Sequence, residues 1–203
     1  MLKCLALFTA LALGGAAFAH ADQITGFVNG NGTDQFTTST VTFAPGATVQ
    51  GALGGSFATY LADGDAINFL SGPLPYSQGA NTAPTPNPQL FTISGGGETF
   101  AFDIASYDAN YVTNGTLGCT SGATCLIVTG QGSYTGSGTH AFDPTPATFL
   151  FTTQYSPGQT VGGMTTFSSS SSTSPVPEPA SLALFGTGLF GLVGVARRKL
   201  IKA

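Results

Sequence analysis

Between Lys3 and Arg197 the chain has no lysine and no arginine. All five basic residues of the 203 sit at the two ends, and the nine acidic ones, from Asp22 to Glu178, lie between them. A stretch without cations cannot neutralise phosphates or release their counterions, so nucleic-acid binding is excluded. Anionic lipid headgroups would repel the same stretch. Tryptophan is absent as well, which argues against a sugar-binding module built on a Trp platform. Histidine is scarce, His140 being the only one well inside the chain, since His20 stands near the N-terminal end. Neither G-x-S-x-G nor H-E-x-x-H occurs, so two common hydrolytic constellations are missing. Glu98 and Asp103 are an odd number of residues apart on one expected strand and would face opposite sides, which removes the obvious glycosidase pair. The chain is therefore not read as an enzyme.

What is present is a pattern of short Thr-, Phe-, Val- and Ile-rich stretches, among them "QFTTSTVTF", "TFAFDIA", "TCLIVTG" and "ATFLFTTQY", separated by turn residues. The period is 2 where it is clearest. Phe100, Phe102 and Ile104 oppose Ala101 and Asp103, and Phe149 and Phe151 oppose Thr148, Leu150 and Thr152. No amphipathic helix is visible in this region. The expectation is an all-β domain over residues 22–165, an antiparallel β-sandwich of jelly-roll type with phenylalanine as its main core residue. "GPLPYSQGANTAPTPNP", Gly72 to Pro88, carries five prolines and reads as a surface loop. The run "TFSSSSSTSP" reads as a Ser-rich linker over 166–175, too polar to bury a core.

Three local features bear on chemistry. Cys119 and Cys125 are an even pair in the expected domain and would form a disulfide closing a small hairpin-like loop. Asp63-Gly64-Asp65 offers two carboxylates for a calcium ion, although no third acid follows at EF-hand spacing and an ordinary Asp-Gly turn has the same residues. Asn31-Gly32 and Asn114-Gly115 read as hairpin turns, each also within an Asn-x-Thr sequon.

The ends differ in kind from the middle. "MLKCLALFTALALGGAAFAHA" has a basic start at Lys3, an apolar core and small residues up to Ala19 and Ala21, so residues 1–21 read as a signal peptide with a short helix. Residues 180–196 are an uncharged run of about seventeen, close to the lower limit for a transmembrane helix. Arg197, Arg198 and Lys199 follow at once and would stay in the cytoplasm, leaving the domain outside. Just ahead lie Val176, Pro177, Glu178 and Pro179, whose prolines keep the backbone extended, as proteases and transpeptidases usually take their substrates. This order of motif, apolar run and basic cluster resembles the PEP-CTERM sorting tail of Gram-negative bacteria, and residues 176–203 would be that tail.

The resemblance implies a membrane-embedded exosortase as a transient partner, cutting near Pro177 to Ala180. It implies an exported protein that passes through an inner-membrane intermediate to the cell surface or extracellular matrix of a bacterium that makes exopolysaccharide. Taken with the domain, the expected role is structural or adhesive and non-enzymatic, beside extracellular polysaccharide. A calcium-dependent carbohydrate-binding module is the alternative, and a glycosidase or lyase comes third.

Overall fold

The computed structural model describes residues 22–84, 87–113, 115, 117 and 119–174. The expected signal peptide, transmembrane run, sorting motif Val176 to Pro179 and basic cluster Arg197 to Lys199 lie outside the described residues. Among those described, no helix is long and apolar enough to cross a membrane.

The elements in chain order are β1 (Asp22–Gln23), β2 (Phe27–Phe36), β3 (Thr40–Phe43), β4 (Ala47–Val49), α1 (Gly55–Tyr60), β5 (Ala66–Phe69), β6 (Leu74–Pro75), β7 (Gly79–Thr82), β8 (Gln89–Gly95), β9 (Glu98–Thr113), β10 (Thr124–Gly138), β11 (Phe142–Asp143), β12 (Thr145–Tyr155) and β13 (Thr165–Thr173). Eight of the strands run in the order β13-β12-β10-β9-β8-β5-β4-β2, and β13 pairs with β2 again. The result is a closed antiparallel barrel. The all-β antiparallel expectation stands, but the sandwich is replaced, because one hydrogen-bonded sheet returns on itself instead of splitting into two faces. β3 and β6 extend from β2 as a side ribbon, and β7 lies along β9.

The interior is aromatic. β12 alternates strictly, with Ala147, Phe149, Phe151 and Tyr155 buried between exposed Pro146, Thr148, Leu150, Thr152 and Gln154. On β9 the even residues Phe100, Phe102 and Ile104 point inward. A bulge at Ala105, opposite Gln131 and Gly132, then shifts the phase so that Tyr107 and Ala109 are buried instead. Neighbouring rings meet at 5 to 6 Å, as in Phe91 with Phe102 (5.3 Å) and Phe151 with Phe167 (5.1 Å). Each such pair contributes roughly 0.5–1.5 kcal/mol beyond the area it buries. With apolar side chains inside and polar ones outside, the barrel has the reverse polarity of one that spans a membrane.

The six-residue helix α1, not expected from the sequence, closes one end. It sends Phe57 inward to Phe100 and Tyr134, at ring centroid distances of 5.1 and 5.0 Å. Gly26, at φ +107°, lets the turn before β2 touch the helix start, since a Cβ there would lie 1.9 Å from the Gly54 carbonyl oxygen.

Two sequence expectations fail at the closing seam. The Ser-rich linker over 166–175 is largely strand: β13 pairs with β12 on one side and β2 on the other. Its only large apolar residue is Phe167, so the period of 2 is hidden among small hydroxyls, although Ser171 is 3 % exposed and points inward. The domain thus continues past 165 to Ser174, whose N–H donates to the Pro146 carbonyl. Asn31-Gly32 makes no turn either, but runs through the middle of β2. Gly32 is there for packing, because a Cβ would lie 2.8 Å from the Phe167 ring on the paired strand. The proline-rich stretch forms no central strand, as expected, but it is more than a surface loop: it contributes the edge strands β6 and β7, and Leu74, Tyr76 and Ala83 are buried in the core.

If β13 closes the barrel, a chain ending at Met164 will show no cooperative unfolding transition, and one ending at Ser174 will melt as the parent domain does. Phe167→Ala in the latter should lower unfolding free energy by about 3–5 kcal/mol in a urea titration, the usual cost of removing a buried ring.

Candidate functional site

The outer wall of β10, β12, β13 and β2 is the most distinctive surface. Strands β10, β12 and β13 contain no charged residue at all. Their register lines outward side chains into rows: Thr129, Leu150, Ser170 and Asn29 form one, and Ile127, Thr152, Ser168 and Asn31 the next. Rows lie two residues apart, roughly 6.8 Å, and strands roughly 4.8 Å apart, which gives a grid of hydroxyl and amide groups. Leu150, 42 % exposed, stands between two shallow grooves. One, of about 500 Å³, is lined by Asn81, Ser106, Asp108, Gln131 and Thr148 among others, and the second, of about 350 Å³, by Asn29, Asn31, Gln50, Thr152 and Ser168. The Thr/Ser/Asn character was legible in the composition. Its assembly into one face was not, because the Ser run supplies the strand that joins β12 to β2.

Two buried carboxylates mark the opposite ends of the barrel. At the end that holds α1, Glu98 is buried beneath the corner after β10. Its Oε1 accepts from the backbone N–H groups of Thr139 (3.0 Å) and His140 (3.1 Å), from the Thr139 hydroxyl, and from His140 Nδ1 (2.7 Å). The Thr139 hydroxyl first, then His140, hold its carboxyl below the usual range against the opposing effect of burial. His140 lies half-exposed against Tyr60 and Phe142. The sequence offered Glu98 and His140 separately, and the structure brings them together as a clamp on a strand corner. Asp103 is on the outer side of β9, opposite to Glu98 as expected.

At the other end Asp34 is fully buried on β2. The Thr153 hydroxyl donates to its Oδ1 at 2.8 Å, while Oδ2 has no hydrogen-bond partner. Burial pushes its carboxyl up to about 7, the Thr153 bond offsetting only part of the shift. The sequence did not single out Asp34, since an acid at an inward strand position was hidden by reading a turn at Asn31-Gly32.

Asp63 and Asp65 occupy the turn between α1 and β5. Asp63 Oδ1 accepts from the Gly51 N–H at 2.8 Å and Asp65 Oδ2 from the Ala62 N–H at 2.8 Å, the work of an ordinary turn. Among the described residues, no group of three or more His, Cys, Asp or Glu is close enough together to hold a metal ion. Cys119 and Cys125 are bonded, with Cα atoms 5.8 Å apart, across the loop joining β9 to β10. Gly115 in that loop has φ +76°, while Asn114 and Thr116 lie outside the described residues.

Comparison with known families finds the PEP-CTERM protein-sorting motif at residues 175–199, directly after β13. The chain thus carries the tail of an exosortase substrate, an exported protein sorted to the cell surface. No curated protein and no solved structure matches the chain.

The two buried carboxylates make stability depend on pH in opposite senses. Asp34, raised from 3.8 to about 7, contributes stability that is complete below its unfolded value and is lost as pH climbs through 7. At about 1.4 kcal/mol per unit the loss is on the order of 4 kcal/mol. Glu98, lowered, contributes stability at neutral pH that is lost as pH falls through its folded value. Urea midpoints should therefore peak in mild acid and fall toward pH 8, and Asp34→Asn should flatten the alkaline side of that curve.

Proposed function

We propose that this protein is a non-enzymatic surface or matrix component whose barrel binds neutral extracellular polysaccharide through the outer wall of β10, β12, β13 and β2. The observation that carries the reading is the uncharged grid itself, with Leu150 at its centre. Sugar hydroxyls both donate and accept hydrogen bonds, and so do Thr, Ser, Asn and Gln side chains. The Leu150 methyl groups suit the C–H face of a pyranose. Each contact is weak in water, because it replaces a bond to solvent. A long polymer that meets several rows at once gains through multivalency what single contacts lack.

Charge selects the polymer. Without lysine or arginine between Lys3 and Arg197, the wall has no partner for uronate or sulfate groups, and Asp108 at its margin would repel them. The ligand class is therefore a neutral polysaccharide, bound with little dependence on salt. Catalysis finds little support, since Glu98 is buried beneath its own corner and spends Oε1 on four local donors.

Affinity electrophoresis in gels containing dextran, a neutral glucan, or alginate, a polyuronate, tests this. Mobility should fall in dextran alone, and Leu150→Asp should weaken that retardation at least tenfold without changing the melting temperature by more than a few degrees. Retardation by alginate only, or an unchanged Leu150→Asp variant, would discard the reading.

A further inference from the structure

Both ends of the described chain leave the barrel at the same end. Asp22 on β1 pairs with Phe142, the Ile24 N–H donates to the Thr145 hydroxyl, and the last bonds of β13 run from Thr173 to Gly26 and from Ser174 to Pro146. That end is also where α1 sits. Residues 175–179 alone separate Ser174 from the apolar run that starts at Ala180. Covalent geometry limits this spacer to roughly 20 Å, at about 3.4 Å per residue. While the tail remains attached, this end of the barrel cannot move away from whatever holds the tail.

We propose that the α1 end of the barrel docks on the extracytoplasmic surface of the exosortase during processing, and that the surface it meets is basic. The proposal rests on the sorting reading of the tail. Two observations choose the partner over the lipid around it. Asp63 is exposed and Asp65 and Asp143 are partly exposed on this end, and no Lys or Arg occurs among the described residues to offset them. An acidic face held this close to a bilayer is repelled by anionic headgroups, whereas a cationic protein loop would attract it and bring the Pro-Glu-Pro motif to the enzyme. The short spacer then works as a positioning device, because it keeps the motif within roughly 20 Å of the dock.

The test follows processing of the full chain in cells that contain the exosortase, by pulse-chase with intact mass as the readout. Ala62→Lys adds a cation to the α1 end and keeps the hydrogen bonds of Asp63 and Asp65, and Val161→Lys makes the same change at the other end. Asp63→Asn removes a charge while retaining an acceptor for Gly51. A twenty-residue Gly/Ser insertion between Ser174 and Pro175 removes that limit. Ala62→Lys, Asp63→Asn and the insertion are each expected to slow tail removal severalfold, with Val161→Lys at the parental rate. Faster processing of the insertion variant would mean that the barrel only obstructs the enzyme, and would overturn the proposal. An unchanged rate in Ala62→Lys and Asp63→Asn, or equal slowing by Val161→Lys, would overturn it too. A parent chain whose mass always retains Arg197 to Ala203 would remove the sorting reading itself, and the dock with it.

Discussion

Closure of the barrel depends on one nine-residue strand composed almost wholly of serine and threonine. β13 contributes ladder bonds to two neighbours, and without it β12 and β2 would be open edges more than a hundred residues apart in sequence. The composition that disguises the strand also fits it for the seam. Ser171 Oγ donates to the Thr148 carbonyl and Ser169 Oγ to the Gly30 carbonyl, so the hydroxyls that face inward are satisfied locally. Larger residues at those positions would meet Phe91, Phe149 and Ile67, which already leave only about 10 Å³ free between them. Phe167 covers Gly32 on the paired strand and supplies the apolar mass that the serines lack.

Legibility in the sequence followed side-chain contrast. β9 and β12 were visible because phenylalanines alternate with alanine, threonine and aspartate, and the disulfide was visible because only two cysteines remain in the domain. β13 offers no contrast, since serine occupies both faces. β2 was broken in the reading at Asn31-Gly32, where glycine serves the packing of Phe167 and not a turn. The choice between sandwich and barrel was beyond periodicity altogether: both have alternating strands, and the difference lies in whether the last strand finds the first. The hydroxyl-rich composition was therefore legible, and the place where it forms a wall was not. Glu98 and His140 were noticed singly, but their pairing depends on a strand corner that joins residues 42 apart.

A charge of one sign imposes a particular economy on the fold. With no lysine or arginine among the described residues, stability has to come from aromatic packing and from hydrogen bonds, and each buried acid must be managed without a strong cation. The two solutions differ. Glu98 remains ionised beneath a corner whose donors converge on one oxygen, so it ties β9 to the β10–β12 connection. Asp34, with a single hydroxyl donor, is held toward its protonated form by burial. The first behaves as a structural anchor at neutral pH, while the second makes the seam beside β13 sensitive to alkali.

Closure and the neutral wall are also linked. Three adjacent strands without a charge would be hazardous in an open sheet, because charged side chains are a common defence of exposed edges against pairing with other molecules. Here β10, β12 and β13 are all interior to a ring, and their backbone groups are already taken. The open edges on β6 and β7 are short, two and four residues, and β6 ends on a proline that lacks an N–H to offer. A wall freed from guarding an edge can display hydroxyls instead of charges. The seam that closes the barrel is thus what permits an uncharged, hydrogen-bonding exterior on an exported protein, and the same strand ends at Thr173, two residues before the sorting motif begins.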